Sequence, residues 1–202
     1  MSDDGDFAAR WRDAHGATAT REVLCDAAHA LIRREGLDAL NMRALAATVG
    51  VSPMAPYKYF PAKESLVAEV RARVRSGFAA HLQQAAVCAN EPADRLHRLC
   101  TAYVGFAVRN EQEYRLIFLT RGSAVESDDR GTTPAWTVLL DALQQMGDHR
   151  SAVDALDEAH LIWATLHGLV MLHLSDRLGF GRSVEELGRS SSRFLLNALR
   201  LP

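Results

Sequence analysis

Residues 51–66 read VSPMAPYKYFPAKESL, a run in which prolines, tyrosines and lysines crowd the chain just after a glycine. The residues before it supply its frame. Asn41 is a good N-cap, Leu40 can staple onto Leu45, and MRALAATV (42–49) therefore reads as a short helix. Gly50 ends that helix and permits a left-handed turn. Val51 is placed to plug the turn, and Ser52 can cap a further helix beginning at Pro53, where a missing N–H does no harm. Upstream, Thr18–Glu35 carries Val23, Leu24, Ala27, Leu31 and Ile32 on one helical face, with Gly36 as its stop. Helix, short turn and helix make the helix-turn-helix arrangement. Pro56 strains this reading, because it removes the N–H that would bond the Ser52 carbonyl and disfavours helical angles at Ala55. A start at Pro56 instead, with Ala55 as a poor cap, shortens the element to about one turn and brings Tyr57 to its tip.

Such a unit reads DNA by laying its second helix in the major groove, with the first across the backbone. Lys58 and Lys63 can meet phosphates, the tyrosine hydroxyls can bond phosphate oxygens or base edges, and Ser52 leaves backbone N–H groups near a helix N-terminus. Arg43 can reach the same backbone. Phe60 and Leu66 should lock the short element onto the helix that follows. The competing reading is a compact three-helix core whose turn is merely polar. Charge alone leaves both open: the chain carries −2 overall, and the nine Lys/Arg against six Asp/Glu of residues 17–75 fit a solvated helix face as well. A local basic excess suits a polyanionic partner.

These residues carry a resemblance. Residues 18–66 resemble the DNA-binding domain of the TetR family of transcriptional regulators, through Ala44-Leu45-Ala46, then Gly50-Val51-Ser52, then Tyr57-x-x-Phe60-Pro61-x-Lys63-x-x-Leu66. The resemblance implies phosphate contacts from Asn41, Tyr57 and Lys63. It also implies base contacts from Arg43 and from Pro53, Met54, Ala55, Pro56, Tyr57 and Lys58. WATLHGLV (163–170) resembles the Trp-His-Gly motif of one C-terminal subgroup of that family.

The 202 residues are 48% hydrophobic, enough for a sizeable core, and read as helix throughout, with no internal repeat. The expectation is an all-α protein of about nine helices: a tail over 1–17 expected to be flexible, a DNA-binding domain over 18–66, and an effector-binding and dimerisation domain over 67–202. In the last, a long helix from Ala62 carries Leu66, Val67, Val70, Val74, Phe78 and Leu82 on one side, with Arg71, Arg73 and Arg75 largely off it. Further helices are expected after Pro92, over Glu113–Thr120, from Thr133-Pro134 to Met146 before Gly147, over Asp154–Leu178, and from a Ser183-Val184-Glu185-Glu186 capping box to about Arg200. The Gly/Ser/Asp-rich stretch 121–133 reads as a mobile loop. The three cysteines, Cys25, Cys88 and Cys100, lie in apolar helical patterns without CxxC spacing and read as reduced packing residues. With no run of roughly 18 apolar residues and an acidic N-terminus lacking a signal-peptide core, the expected location is cytoplasmic, away from membranes.

No G-x-S-x-G, Gly-rich phosphate loop or H-E-x-x-H occurs in 76–202, so an enzyme is not expected, nor a cofactor. His160, Trp163, His167 and Met171 fall on roughly one face of their helix, and three readings compete: core or subunit interface, the wall of a small-molecule pocket, or a metal site. His160 and His167 are about 10 Å apart along the axis, too far for one ion. His97 and Cys100 have workable spacing, but Cys100 falls in an apolar stripe; no metal is expected. Phe78, Leu82, Tyr103, Phe106 and Trp136 come from separate helices. The resemblance implies that with Trp163, His167 and Met171 they surround an effector cavity. It further implies a homodimer on a double-stranded pseudo-palindromic operator, released as a repressor by a largely apolar small molecule; surplus apolar positions within residues 154–200, including Leu161, Ile162, Leu169, Leu187, Phe194, Leu195 and Leu199, are the expected subunit interface. The rival classes are a ligand-independent DNA-binding protein and an enzyme carrying a helix-turn-helix.

Overall fold

In the computed structural model, residues 6–14, 16–120, 133–146, 152–179 and 181–198 are described. Among them the chain is all-α: α1 (Phe7–Asp13), α2 (Ala17–Glu35), α3 (Met42–Val49), α4 (Lys63–Val87), α5 (Pro92–Arg109), α6 (Glu111–Phe118), α7 (Pro134–Gln144), α8 (Ala152–Leu174) and α9 (Val184–Ala198), with 3-10 turns at Leu37–Ala39 and Pro56–Lys58. No helix among the described residues is long and apolar enough to cross a membrane. The expected loop at 121–132, the stop at Gly147 and the last residues of the final helix lie outside the described residues.

The chain divides into two compact units, Met1–Val74 with Gln112–Asp128, and Arg75–Glu111 with Asp129–Pro202. This division does not coincide with the sequence boundary after Leu66. In the first unit α2 packs on α3 and on the Leu37–Ala39 turn, α1 packs on both α2 and α3, and α3 meets the Pro56–Lys58 turn. Leu24, Ile32, Leu40, Leu45, Phe60 and Leu66 are fully buried there. Residues of α6 join this unit: His29 Nε2 lies 2.5 Å from Glu113 Oε1. Arg71 Nε donates to the Leu116 carbonyl at 3.1 Å, so Arg71 is buried rather than off the apolar side of α4.

Local chemistry sets the ends of the elements. Asn41 Oδ1 accepts from the Ala44 N–H at 2.8 Å, as an N-cap should. At the other end of α3, Gly50 sits at φ 75°, ψ 34°. The Val51 N–H bonds the Ala46 carbonyl and the Gly50 N–H that of Ala47, the paired closure of a Schellman motif. The Ser183 capping box is made in both directions, each bond 3.1 Å long.

Three expectations are corrected. The stretch read as a flexible tail contains α1, capped by Asp6 and anchored by the buried Phe7; a seven-residue helix is too short for hydrophobic periodicity to reveal. No α-helix starts at Pro53: residues 53–55 form a turn and Pro56–Lys58 a single 3-10 turn, as the start at Pro56 implied. The α8 helix stops at Leu174, before a positive-φ Asp176, short of the expected Leu178. Cys25 and Cys100 are buried and Cys88 is exposed, so packing does not account for Cys88.

In the second unit α5 packs on α7, α8 and α9, and α8 on α7 and α9. The α5–α9 approach depends on Gly188, where a Cβ would meet Val104 Cγ2 at 2.9 Å. Beside it, His97 Nδ1 and the buried Ser192 Oγ share a 2.7 Å hydrogen bond.

Two alanine substitutions test these constraints. Gly50→Ala should cost about 1–2 kcal/mol, the strain of a left-handed L-residue. Gly188→Ala should cost about 1–3 kcal/mol by overpacking against Val104. Urea unfolding followed by circular dichroism reads both; a midpoint unchanged from the parent chain would refute the corresponding constraint.

Candidate functional site

After the Schellman closure the chain cannot enter an ordinary helix, because Pro56 has no N–H to offer the Ser52 carbonyl. That carbonyl is taken instead by the Ala55 N–H at 2.9 Å, and Ala55 and Pro56 carbonyls by the Lys58 and Tyr59 N–H groups at 3.2 and 3.0 Å. Bonds of this short reach tighten the backbone. Pro56 and Phe60 turn inward and are buried. Asn41, Arg43, Ser52, Pro53, Met54, Tyr57 and Lys58 are exposed, while Ala55 and Lys63 are half-buried. One surface of the first unit thus gathers two cations, a hydroxyl, a phenol and a thioether on a fixed backbone. Such a set can neutralise phosphates and touch base edges.

Two of the expected contacts also have internal partners. Asn41 caps α3 with its oxygen and offers Nδ2 to the Ala39 carbonyl at 3.4 Å. Lys63 Nζ donates to the Leu37 carbonyl at 3.4 Å, which leaves further ammonium hydrogens for an anion.

The residue that sequence reading missed is Arg21. Its Nη1 donates to the Tyr59 carbonyl at 2.5 Å, its Nη2 pairs with Glu69 Oε2, and its guanidinium carbon lies 4.1 Å from the Phe60 ring centroid. Arg73 bridges Glu69 at 3.1 Å and Asp26 at 3.3 Å, and Asp26 also pairs with Arg10 at 2.5 Å. Burial works against the Glu69 charge, but hydrogen bonds from Arg21, Cys25 and Arg73 outweigh it and hold the carboxyl below its usual range. Burial pushes the Cys25 thiol up to about 12, so it stays protonated. No local spacing signals this network, since Arg21 and its partners are separated by 38 and 48 residues.

In the second unit, Phe78, Tyr103 and Phe106 are buried together, with ring centroids 5.5 Å apart for Phe78–Tyr103 and 4.8 Å for Phe78–Phe106. Tyr103 Oη lies 3.5 Å from His167 Nδ1, and Trp163 stacks on His167 at 5.4 Å. Burial disfavours the charged form of His167 and lowers its pKa. Leu82 is buried, Met171 half-buried and Trp163 38% exposed. Trp136 meets His160, on the helix that also carries Trp163 and His167, with ring centroids 4.6 Å apart. His81 was not expected: its Nε2 is buried with no hydrogen-bond partner among the described residues, and its ring lies 5.9 Å from Phe106. A histidine in an apolar stripe was the available signal. No group of three or more metal-ligating side chains occurs among the described residues.

Residues 24–70 match the description "Bacterial regulatory proteins, tetR family", and residues 96–195 match "Tetracyclin repressor-like, C-terminal domain". Among solved structures, a protein of unknown function from Rhodococcus sp. RHA1 is 23% identical over 93% of this chain and 97% of its own, with a TM-score of 0.75. A TetR-family transcriptional regulator from Pectobacterium atrosepticum is 20% identical over 92% and 96%, with a TM-score of 0.67. One of the TetR/AcrR family from Thermobifida fusca is 20% identical over 90% and 98%, with a TM-score of 0.64. Among curated proteins none matches the chain.

The Glu69 network predicts a signed pH response. A carboxyl whose folded pKa lies below its unfolded value stabilises above the unfolded value and loses that contribution as pH falls through the folded one. Glu69→Gln should therefore be less stable than the parent at neutral pH, with the gap narrowing as carboxylates protonate. Arg21→Ala should cost about 1–2 kcal/mol, toward the lower end because Arg21 is part-exposed. Urea midpoints across the acid range measure both; a gap that widens on acidification contradicts the assignment.

Proposed function

Because the chain belongs to the TetR family of transcriptional regulators, we propose that it is a repressor that binds a pseudo-palindromic operator as a homodimer and is released by a small molecule. The observation that carries the DNA half is the exposed set Arg43, Ser52, Pro53, Met54, Tyr57 and Lys58 on a backbone fixed by Gly50, Pro56 and Arg21. The division drawn from the sequence serves as the functional proposal: residues 18–66 meet DNA, and residues 67–202 hold the effector and the partner subunit. The protein acts in the cytoplasm, without enzymatic activity.

Exposed apolar side chains on α8 and α9 support the homodimer. Leu161 is 63% and Phe194 73% exposed, and Leu156 and Leu172 stand out beside them. Ile162, also expected at the interface, is buried within its own unit, and Leu199 lies outside the described residues. A two-fold pair of such faces sets the two recognition elements about one DNA turn, or a multiple, apart.

Tyr103, His167 and the unpartnered His81 Nε2, set among Phe78, Leu82 and Phe106, support an effector site that is mostly apolar with few polar groups. The resemblance of Trp163–Val170 to the Trp-His-Gly motif points to the same helix. Trp136 is the weakest member, since it pairs away with His160. The close ring packing of Phe78 with Tyr103 and Phe106 favours the second reading, a ligand-independent DNA-binding protein with an aromatic core. Extraction of the purified protein and mass spectrometry separate the two: a bound aliphatic or aromatic molecule supports the sensor.

Selection from a pool of randomised duplexes tests DNA binding, and affinity for the enriched duplex should fall with salt by a slope of about −0.9 per phosphate contact. Lys63→Ala and Tyr57→Phe should weaken all sequences alike; an altered sequence preference in footprinting reassigns them to base reading. For the effector, a coupling that changes operator affinity about 5- to 150-fold is the general expectation for an allosteric ligand. Trp163→Ala and His167→Ala should blunt that change while leaving ligand-free affinity and the sedimenting dimer intact. Parent-like responses in both variants would return these residues to the core or the interface.

A further inference from the structure

We propose that α1 is a brace for the DNA-reading turn, with Trp11 its positioning residue, so that sequence discrimination depends on a helix that does not touch DNA. This inference rests on the DNA-binding reading above. The helix lies outside residues 24–70, the part that matches the tetR-family description.

Several ties fix α1 in place. Asp6 Oδ1 caps it by accepting from the Ala9 N–H at 2.9 Å, Phe7 is buried, and Arg10 reaches Asp26 at 2.5 Å. From that position it meets both ends of the reading segment. At the entry, a methyl group built on Gly50 would lie 3.4 Å from Ala8 Cβ, so α1 runs close behind the left-handed turn. At the exit, the Trp11 and Tyr59 rings meet edge to face, 5.9 Å between centroids and 88° between planes.

The reading segment needs such help from outside. A single 3-10 turn that begins only at Pro56 has little intrinsic stability, since short helices are marginal without tertiary packing. Its exit is gripped twice: Arg21 takes the Tyr59 carbonyl, and Trp11 takes the Tyr59 ring. Tyr59 directly follows Tyr57 and Lys58, so rotation about its backbone would carry both exposed side chains with it. Phosphate contacts tolerate such a shift because the ammonium chain is long and flexible, whereas base-edge contacts need fixed geometry. Loss of the brace should therefore reduce discrimination more than general affinity.

The test uses the full chain, a duplex enriched by the parent from a randomised pool, and a scrambled duplex of equal length. Trp11→Ala should lose about two- to tenfold in affinity for the enriched duplex, the range of one aromatic pair. Affinity for the scrambled duplex and the salt slope should stay at parent values, and Trp11→Phe should recover most of the loss. Arg12→Ala, an exposed change on the same helix, should alter neither duplex. Equal affinity of Trp11→Ala and parent for the enriched duplex would overturn the brace. So would a parallel loss on both duplexes with a smaller salt slope, or a smaller slope in Arg12→Ala, either of which makes α1 a phosphate-binding arm. Should Trp11→Ala lose helicity by circular dichroism, Trp11→Leu decides by the same criteria. If the parent enriches no sequence, the DNA-binding reading falls and takes the brace with it; if the parent enriches one and Trp11→Ala matches it, only the brace falls.

Discussion

The bond from Arg21 Nη1 to the Tyr59 carbonyl is the constraint on which the outward face of the first unit depends. It closes a segment that its own backbone cannot close. In a regular helix the Tyr59 carbonyl would be met by the N–H four residues on, but the segment ends here: the Phe60 N–H bonds the Pro56 carbonyl at 2.9 Å, Pro61 has no N–H to continue the ladder, and α4 starts only at Lys63. The Coulombic part of the Arg21–Glu69 pair is a minor contributor, because both side chains keep substantial solvent access and such pairs are worth roughly 0–1 kcal/mol. Direction matters more than charge here. A planar guanidinium can bond a carbonyl, a carboxylate and the face of Phe60 at once, a combination that a lysine could not make.

From that bond the order of the unit follows outward. Glu69 is held by Arg21 and Arg73, Arg73 reaches Asp26, and Asp26 reaches Arg10, so α4, α2 and α1 share one chain of donors and acceptors. Cys25 offers its thiol to Glu69 at 3.3 Å from within the same network. The cysteine is thus a small donor in a packed place, with its pKa raised by burial, and not a reactive thiolate.

What the sequence disclosed and what it hid separate by range. Asn41, Gly50 and Ser183 act on neighbours within a few residues, and their caps and turns were legible because the chemistry is local. Long amphipathic helices were equally legible, with ends displaced by a few residues at α6 and α8. Arg21 and Trp11 were not, since each acts through a partner that only the fold brings near. Arg71 is the clearest case. Helical projection set it off the apolar side of α4, yet the Leu116 carbonyl satisfies its Nε and permits its burial. Among the effector candidates, Phe78, Tyr103 and Phe106 pack ring against ring while Trp136 meets His160, a distinction that helical spacing could not make because it says nothing of which neighbouring helix a face will meet.

Pro56 gives the arrangement its logic. A longer α-helix would carry its own hydrogen-bond ladder and would present its side chains with little need of other elements. The interrupted segment transfers that task to residues buried or paired behind it: Phe60 under the Arg21 guanidinium, Tyr59 against Trp11, and Gly50 against Ala8. On the proposed DNA-binding reading, two kinds of residue then govern this surface. Exposed side chains such as Arg43, Tyr57 and Lys58 set what is touched, and supporting ones such as Arg21 and Trp11 set where the touching atoms lie. Substitutions of the first kind remove a contact, whereas substitutions of the second kind displace several together. On that reading the supporting residues are the positions where a small loss of packing energy would translate into a change of specificity rather than of simple adhesion.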